Sequence, residues 1–291
     1  MKDIVNFDYS YTADGTFDIK FKPVTRPLLG WKQEVYETAK QIRSLADRPL
    51  FLCMSGGIDS EVVARAFIEN NIEFTALSLR HIKGTNNHDV DWAIKFCRDR
   101  NLKHIVIDFD FEDFVINKIP KYIEQGYVTW RTFRFQQLYL FELAESLGYT
   151  AVLGGGPSPF FTVDGEICLN FKIDEFMCLD WLKNNNQKHF PYFYWQNSEI
   201  MASYFSQGLI NFMLTDPEYF VTVWPTTSPE KLTVYHKYWP EMPRRMKYDG
   251  FEKITGTDLA LNYIVPRRQK LGEVVSRNVP VRLIKSQFGI N

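Results

Sequence analysis

Apolar and polar positions alternate along the first two dozen residues, with Ile4, Phe7 and Tyr9 before Ala13-Asp14-Gly15-Thr16 and Phe17, Ile19 and Phe21 after it. A period of two on both sides of a glycine-containing turn predicts a β-hairpin. Pro23 and Pro27 close it, and the period then changes. Val35, Ala39, Ile42 and Leu45 recur at spacings of three and four, which predicts an amphipathic helix over residues 31–46. From there apolar runs at 51–54, 73–79, 103–110 and 149–153 alternate with helical patterns. The first of these helices carries Val62, Val63, Ala66 and Phe67 on one face; later ones cover 88–101 and 133–147, with a helical stretch broken by Pro120 between them.

This alternation predicts an α/β protein with a doubly wound parallel sheet, right-handed at each crossover. Ligands of such sheets sit beyond the carboxyl ends of the strands, where strand order reverses. The segments Ser55–Ser60, Ser78–Arg80 and Gly154–Pro157 all end on that rim, and Asp108 and Asp110 border it. Beyond residue 160 the pattern is less regular. A second hairpin is expected around Asp164-Gly165, and helices over 198–206 and 229–238, among prolines at 191, 217, 225, 229, 240 and 243. The expected organisation is an N-terminal hairpin (1–30), an α/β domain (31–160) and a mostly helical substrate or lid region (161–291).

Composition narrows the class. The 291 residues are 45% hydrophobic and 24% charged, which is ordinary for a globular chain able to bury a large core. A formal net charge of −1 argues against whole-protein attraction to nucleic acid or an anionic membrane. Arg267, Arg268, Lys270, Arg277, Arg282 and Lys285 stand against a single Glu273 near the end, leaving a nucleic-acid contact open beside the commoner readings of a solvated face or an oligomer contact. No run of eighteen apolar residues exists and the first residues do not open a signal peptide, so a cytoplasmic location is expected. The four cysteines, Cys53, Cys97, Cys168 and Cys178, form no Cys-x-x-Cys pair.

Candidate chemistry concentrates at Ser55-Gly56-Gly57-Ile58-Asp59-Ser60, between an apolar strand and a helix. Glycines let the main chain turn sharply and present its N–H groups, and the helix adds free amides and the positive end of its dipole. The result is an anion cradle. Neither a P-loop lysine signature nor a dinucleotide Gly-x-Gly-x-x-Gly is present. All six positions are similar to the Ser-Gly-Gly-x-Asp-Ser signature of the PP-loop superfamily, the N-type ATP pyrophosphatases, which includes the synthetase parts of asparagine, GMP, NAD and β-lactam synthetases and the enzyme that makes preQ0.

The resemblance implies a Rossmann-like fold of the HUP type, ATP and Mg2+ as cofactors, and cleavage of ATP to AMP and pyrophosphate. It also implies roles for particular residues. The Ser55–Ser60 amides and hydroxyls would hold pyrophosphate, and Asp59 would contact magnesium, with a helix N-cap as its other reading. Ser78 and Arg80 would line the purine pocket, Gly154 and Gly155 would meet the nucleotide, and Arg131 and Arg134 could face phosphates. Relatives often place an acid after the fourth-strand glycine; here none occurs before Asp164, so Asp108 or Asp110 would supply a second metal ligand. Lys247, with Arg245 as a substitute, resembles the late lysine that steadies the adenylate; Lys172 is a third candidate.

With no glutaminase segment expected before residue 31, the amine would be ammonia or an amino group of a second substrate. The expected function is an AMP-forming ligase that adenylates an oxygen of a small-molecule substrate. A sulfurtransferase, needing a persulfide at Cys168 or Cys178, and a non-catalytic nucleotide-binding scaffold are the alternatives.

Overall fold

A computed structural model describes residues 4–127, 129, 131–155, 160–164, 166–207, 229–243, 262–263, 266 and 276–290. Strands β1 (Phe7–Tyr11) and β2 (Phe17–Phe21) form the expected antiparallel hairpin, with Phe7 opposite Phe21. Helix α1 (Trp31–Leu45) follows, then β3 (Leu50–Cys53), α2 (Ile58–Glu69), β4 (Thr75–His81), α3 (Asn87–Asp99) and β5 (His104–Phe109). A short helix α4 (Phe111–Asp113), a π turn (Phe114–Lys118) and α5 (Ile119–Glu124) occupy the segment around Pro120. Proline has no N–H to donate, so it stands in the first turn of α5 and the continuous ladder breaks before it. Helix α6 (Thr132–Ser146) leads into β6 (Thr150–Leu153).

These strands form a parallel sheet in the order β5-β4-β3-β6. All four residues of β3 and of β6 are buried, as strands covered on both faces must be, which is why they read as unbroken apolar runs. From β3 the chain winds outward through β4 to β5, then returns through α6 to β6 on the other side of β3. The reversal of strand order therefore lies between β3 and β6. The α/β expectation is borne out, with β4 beginning and ending two residues later than the apolar run suggested.

The later region contains more strand than the periodicity indicated. Strands β7 (Phe160–Val163) and β8 (Glu166–Lys172) make the expected hairpin, with Asp164 in the left-handed region at its turn. β9 (Ser276–Pro280) pairs antiparallel with β8 to complete a three-stranded sheet. Helices α7 (Met177–Asn184), α8 (Ser198–Phe205), α9 (Pro229–Tyr238) and α10 (Val281–Phe288) pack around it and the main sheet. The first hairpin is held by this region: Tyr9 stacks on Phe176 at 4.4 Å, Phe21 on Trp195 at 5.7 Å, and Phe21 meets the Phe288 ring edge-on. Two members of the basic run are spent here, Arg277 on Asp18 and Arg282 on Glu166. Among the described residues no helix is long and apolar enough to cross a membrane.

Candidate nucleotide site

The loop from β3 to α2 turns at Gly56, whose φ of +89° lies in the region that favours glycine. A β-carbon there would stand 1.8 Å from the Asp89 carbonyl oxygen, so the first glycine is required by close packing on the start of α3. Gly57 is different: its φ is −71°, and a β-carbon would meet only the Ser55 hydroxyl, at 3.3 Å. The second glycine thus borders open space at the sheet's carboxyl edge. The Gly57 amide donates to Ser55 Oγ at 3.2 Å, and the Ser60 hydroxyl donates back to the Gly57 carbonyl at 2.8 Å. Ser55 Oγ and Ser60 Oγ lie 3.4 Å apart. Gly57 caps α2, whose first amides have by helix geometry no intrahelical acceptor. Ile58, the free position of the signature, is half-buried against the core.

The opposite wall is the end of β6. A β-carbon on Gly154 would lie 2.8 Å from Ser60 Cα, and one on Gly155 would lie 3.2 Å from the Tyr192 ring. The loops after β3 and β6 therefore meet at the reversal of strand order, as expected for the rim.

Asp59 is the second residue of α2 and does not cap it. Its Oδ1 accepts from the hydroxyl of Tyr235 in α9 at 2.5 Å, and its carbonyl oxygen accepts from Tyr194 at 3.3 Å. Burial, with the Asp59 charge beside them, keeps both phenols protonated well beyond their ordinary range. Nothing in the spacing of the sequence pointed to these tyrosines; the only hint was an unusually aromatic run, Tyr192-Phe193-Tyr194-Trp195.

On the β4–β5 side, Ser78 is buried and donates to the Met54 carbonyl at 2.5 Å, with His104 Nε2 at 2.9 Å. Its hydroxyl is thus bound to the chain end of β3 rather than directed outward. Arg80 and Asp108 are register partners on adjacent strands, and the guanidinium holds Asp108 Oδ1 at 2.7 Å. The Asp110 side chain caps α4 by accepting from the Asp113 amide. A metal at Asp108 would have to displace Arg80.

Arg131 and Arg134 face inward. Arg131 forms a two-pronged pair with the buried Asp174, which also accepts from Thr129 at 2.5 Å. Arg134 reaches Gln137, Tyr192 and Glu175 at 3.1, 3.1 and 3.3 Å. Desolvation raises the Glu175 carboxyl above its ordinary value although both guanidinium groups oppose it. Desolvation, then Arg131, lowers Lys172. This charged cluster stands behind Gly155 through Tyr192, and it brings Asp174 and Glu175 closer to the fourth-strand glycines than their positions in the chain suggest. Lys247 and Arg245 lie outside the described residues.

The four thiols are all buried and unpaired. Desolvation pushes Cys53 up to about 12 and Cys97 and Cys178 up to about 11, and raises Cys168 too. No group of three or more His, Cys, Asp or Glu side chains placed to hold a metal occurs among the described residues. A cavity of about 930 Å³ opens at the amino ends of the strands between Pro49, Thr75, Lys103 and Tyr149. It is on the wrong edge of the sheet for a ligand of the glycine loops.

A parallel sheet with a glycine turn at its reversal point is the arrangement in which α/β domains place their ligands. The sequence model of the asparagine synthase family matches residues 33–157, a segment from α1 to the end of β6 that contains the Ser55–Ser60 signature. Curated protein sequences give no match. Among solved structures, NMN synthetase from Francisella tularensis is similar at 18% identity over 42% of this chain and 52% of that one, with a TM-score of 0.32. A U34-tRNA thiolase from Methanococcus maripaludis, with its [4Fe-4S] cluster, is similar at 18% identity over 46% and 54%, TM-score 0.29. An NH3-dependent NAD synthetase from Campylobacter jejuni is similar at 15% identity over 74% and 99%, TM-score 0.34. The match spans about half the length of the first two.

Proposed function

We propose that the protein is an ATP-dependent ligase that splits ATP between the α and β phosphates, transferring AMP to a substrate oxygen that ammonia or an amine then attacks. The observation that carries this reading is the meeting of the Ser55–Ser60 loop and Gly154 at the reversal of strand order, within a segment matching the asparagine synthase family. The main-chain amides at the start of α2, with the Ser55 and Ser60 hydroxyls, would bind the pyrophosphate end of the nucleotide. The open side of Gly57 fits such an anion, since a phosphate can approach the main chain there without meeting a β-carbon.

Magnesium would offset charge on the phosphates as the bond breaks. Asp59, with no metal cluster around it among the described residues, fits an ion that takes most of its ligands from phosphates and water. What the chain itself contributes is position and preorganised dipoles at the departing pyrophosphate. Four buried thiols with raised pKa values speak against the sulfurtransferase alternative, because the thiolate is the nucleophile in such chemistry.

The test is incubation with α-labelled ATP, magnesium and ammonium across a panel of small carboxylates, amides and oxo-heterocycles. Label in AMP, with pyrophosphate released in equal amount, is the expected result. Label in ADP would overturn the reading.

A further inference from the structure

The end of α9 and the turn after it, from Tyr235 to Glu241, are tied to α2 at three levels. Tyr235 donates to Asp59 Oδ1 at 2.5 Å. One turn later Trp239 Nε1 donates to Glu69 Oε1 at 2.6 Å, and Glu241 pairs with the buried Arg65, which also holds Glu61. Tyr235 is fully buried, and its ring lies parallel to Trp31 at 5.2 Å, so neither the ring nor the hydroxyl has room to swing. Tyr194 also lies parallel to Trp31, ring planes 4° apart at 6.5 Å, and binds the Asp59 carbonyl. An aspartate in the first turn of a helix ordinarily points its carboxylate at solvent or at its own helix amides. Here a tyrosine 176 residues away in sequence donates to it.

We propose that Tyr235 is the positioning residue of the nucleotide site: its hydroxyl fixes the Asp59 carboxylate in the orientation from which that side chain contacts a nucleotide-borne magnesium ion. The inference rests on the ATP-dependent reading above. It separates the roles of the loop, in which amides hold phosphate and the Tyr235–Asp59 pair serves the metal. Losing the hydroxyl should therefore weaken the metal-dependent part of ATP binding and leave the amide part alone.

The experiment measures ATP affinity by calorimetry with magnesium and with EDTA for the wild type, Tyr235→Phe and Trp239→Phe. Tyr235→Phe should raise the Kd for MgATP about tenfold, the scale of one charge-assisted hydrogen bond, while the Kd in EDTA stays unchanged. Trp239→Phe, which loosens α9 but keeps the Tyr235 hydroxyl, should lower the melting temperature without changing the ratio of the two Kd values. A wild type that binds neither form overturns the nucleotide reading and this inference together. A wild type that binds MgATP, with Tyr235→Phe giving the wild-type ratio, overturns the inference alone; so does an equal loss in both arms. Where Tyr235→Phe fails to fold, 3,5-difluorotyrosine at 235 keeps the ring while changing the hydroxyl, and an unmoved ratio there is equally decisive against it.

Discussion

Gly154 and Ser60 approach so closely that a β-carbon on the glycine would lie 2.8 Å from the serine Cα and 3.1 Å from its nitrogen. Both contacts are to main chain, which cannot rotate away as a flexible side chain would. Gly154→Ala is therefore expected to push the end of β6 from the start of α2. It should cost about 1–3 kcal/mol of stability by overpacking and abolish ATP binding by opening the cradle. Thermal unfolding and equilibrium dialysis with ATP check both halves; an alanine variant with wild-type affinity would separate the β6 loop from the site.

The two glycines of the β3–α2 loop should behave in opposite ways. Gly56→Ala forces a side chain into positive φ and into the Asp89 carbonyl, so it should destabilise the fold even without ligand. Gly57→Val has space in the free protein, and should fold yet fail to bind nucleotide because its branches occupy the anion's place. Circular dichroism melts and ATP affinity, measured side by side, distinguish the pair. Intact affinity in Gly57→Val would count against phosphate at that position.

Asp59→Ala removes the acceptor of the buried Tyr235 hydroxyl as well as the proposed metal contact. Two losses are expected: turnover falling by roughly a hundredfold or more, and stability falling by about 1–3 kcal/mol for the orphaned donor. Asp59→Asn keeps an oxygen for Tyr235 and should recover most of the stability but little of the turnover. Unchanged AMP formation in either variant would remove Asp59 from the chemistry.

The contrast between these residues shows what sequence alone could yield. Ser55–Ser60 was readable because strand, glycine turn and helix start are consecutive in the chain, and the family match covers the same segment. Ser78 was placed on the right strand, but both faces of a parallel sheet are covered, so periodicity gave no sign that its hydroxyl turns to Met54. The Tyr235–Asp59 bond and the Arg131–Asp174 pair join residues 176 and 43 positions apart, and tertiary contacts of that kind leave no local pattern. β9 was hidden for another reason: Ser276–Pro280 is mostly exposed, with only Val279 buried, so a strand that completes a sheet read as part of a basic run.

Cysteine chemistry offers a clean exclusion. Cys168→Ala and Cys178→Ala, singly and together, should leave AMP and pyrophosphate formation in place, since neither thiol is accessible and Cys178 is spent against Gln137. The labelled-ATP assay reads this directly. Loss of turnover in a folded double variant would reinstate sulfur transfer.

Acid stability should report a buried imidazole. His189 lies under Phe141, its ring parallel at 5.1 Å, and its Nδ1 accepts from the Ala151 amide of β6 at 3.0 Å. Burial lowers its pKa from 6.5 to about 4, although the nearby Glu145 pulls the other way. In the unfolded chain the imidazole gains its proton near 6.5, so between that pH and 4 the unfolded state binds more protons. The stability contributed by the neutral ring is then complete above pH 6.5 and is lost as pH falls toward 4, by about 3 kcal/mol at the lower limit. His81, half-buried and lowered to about 4 by desolvation, adds in the same direction. His189→Asn keeps an acceptor for the Ala151 amide and cannot take up the proton. Its melting temperature should therefore fall less than that of the wild type between pH 6.5 and 4.5. Parallel curves for the two proteins would mean that His189 does not govern acid unfolding, and that other groups carry the loss.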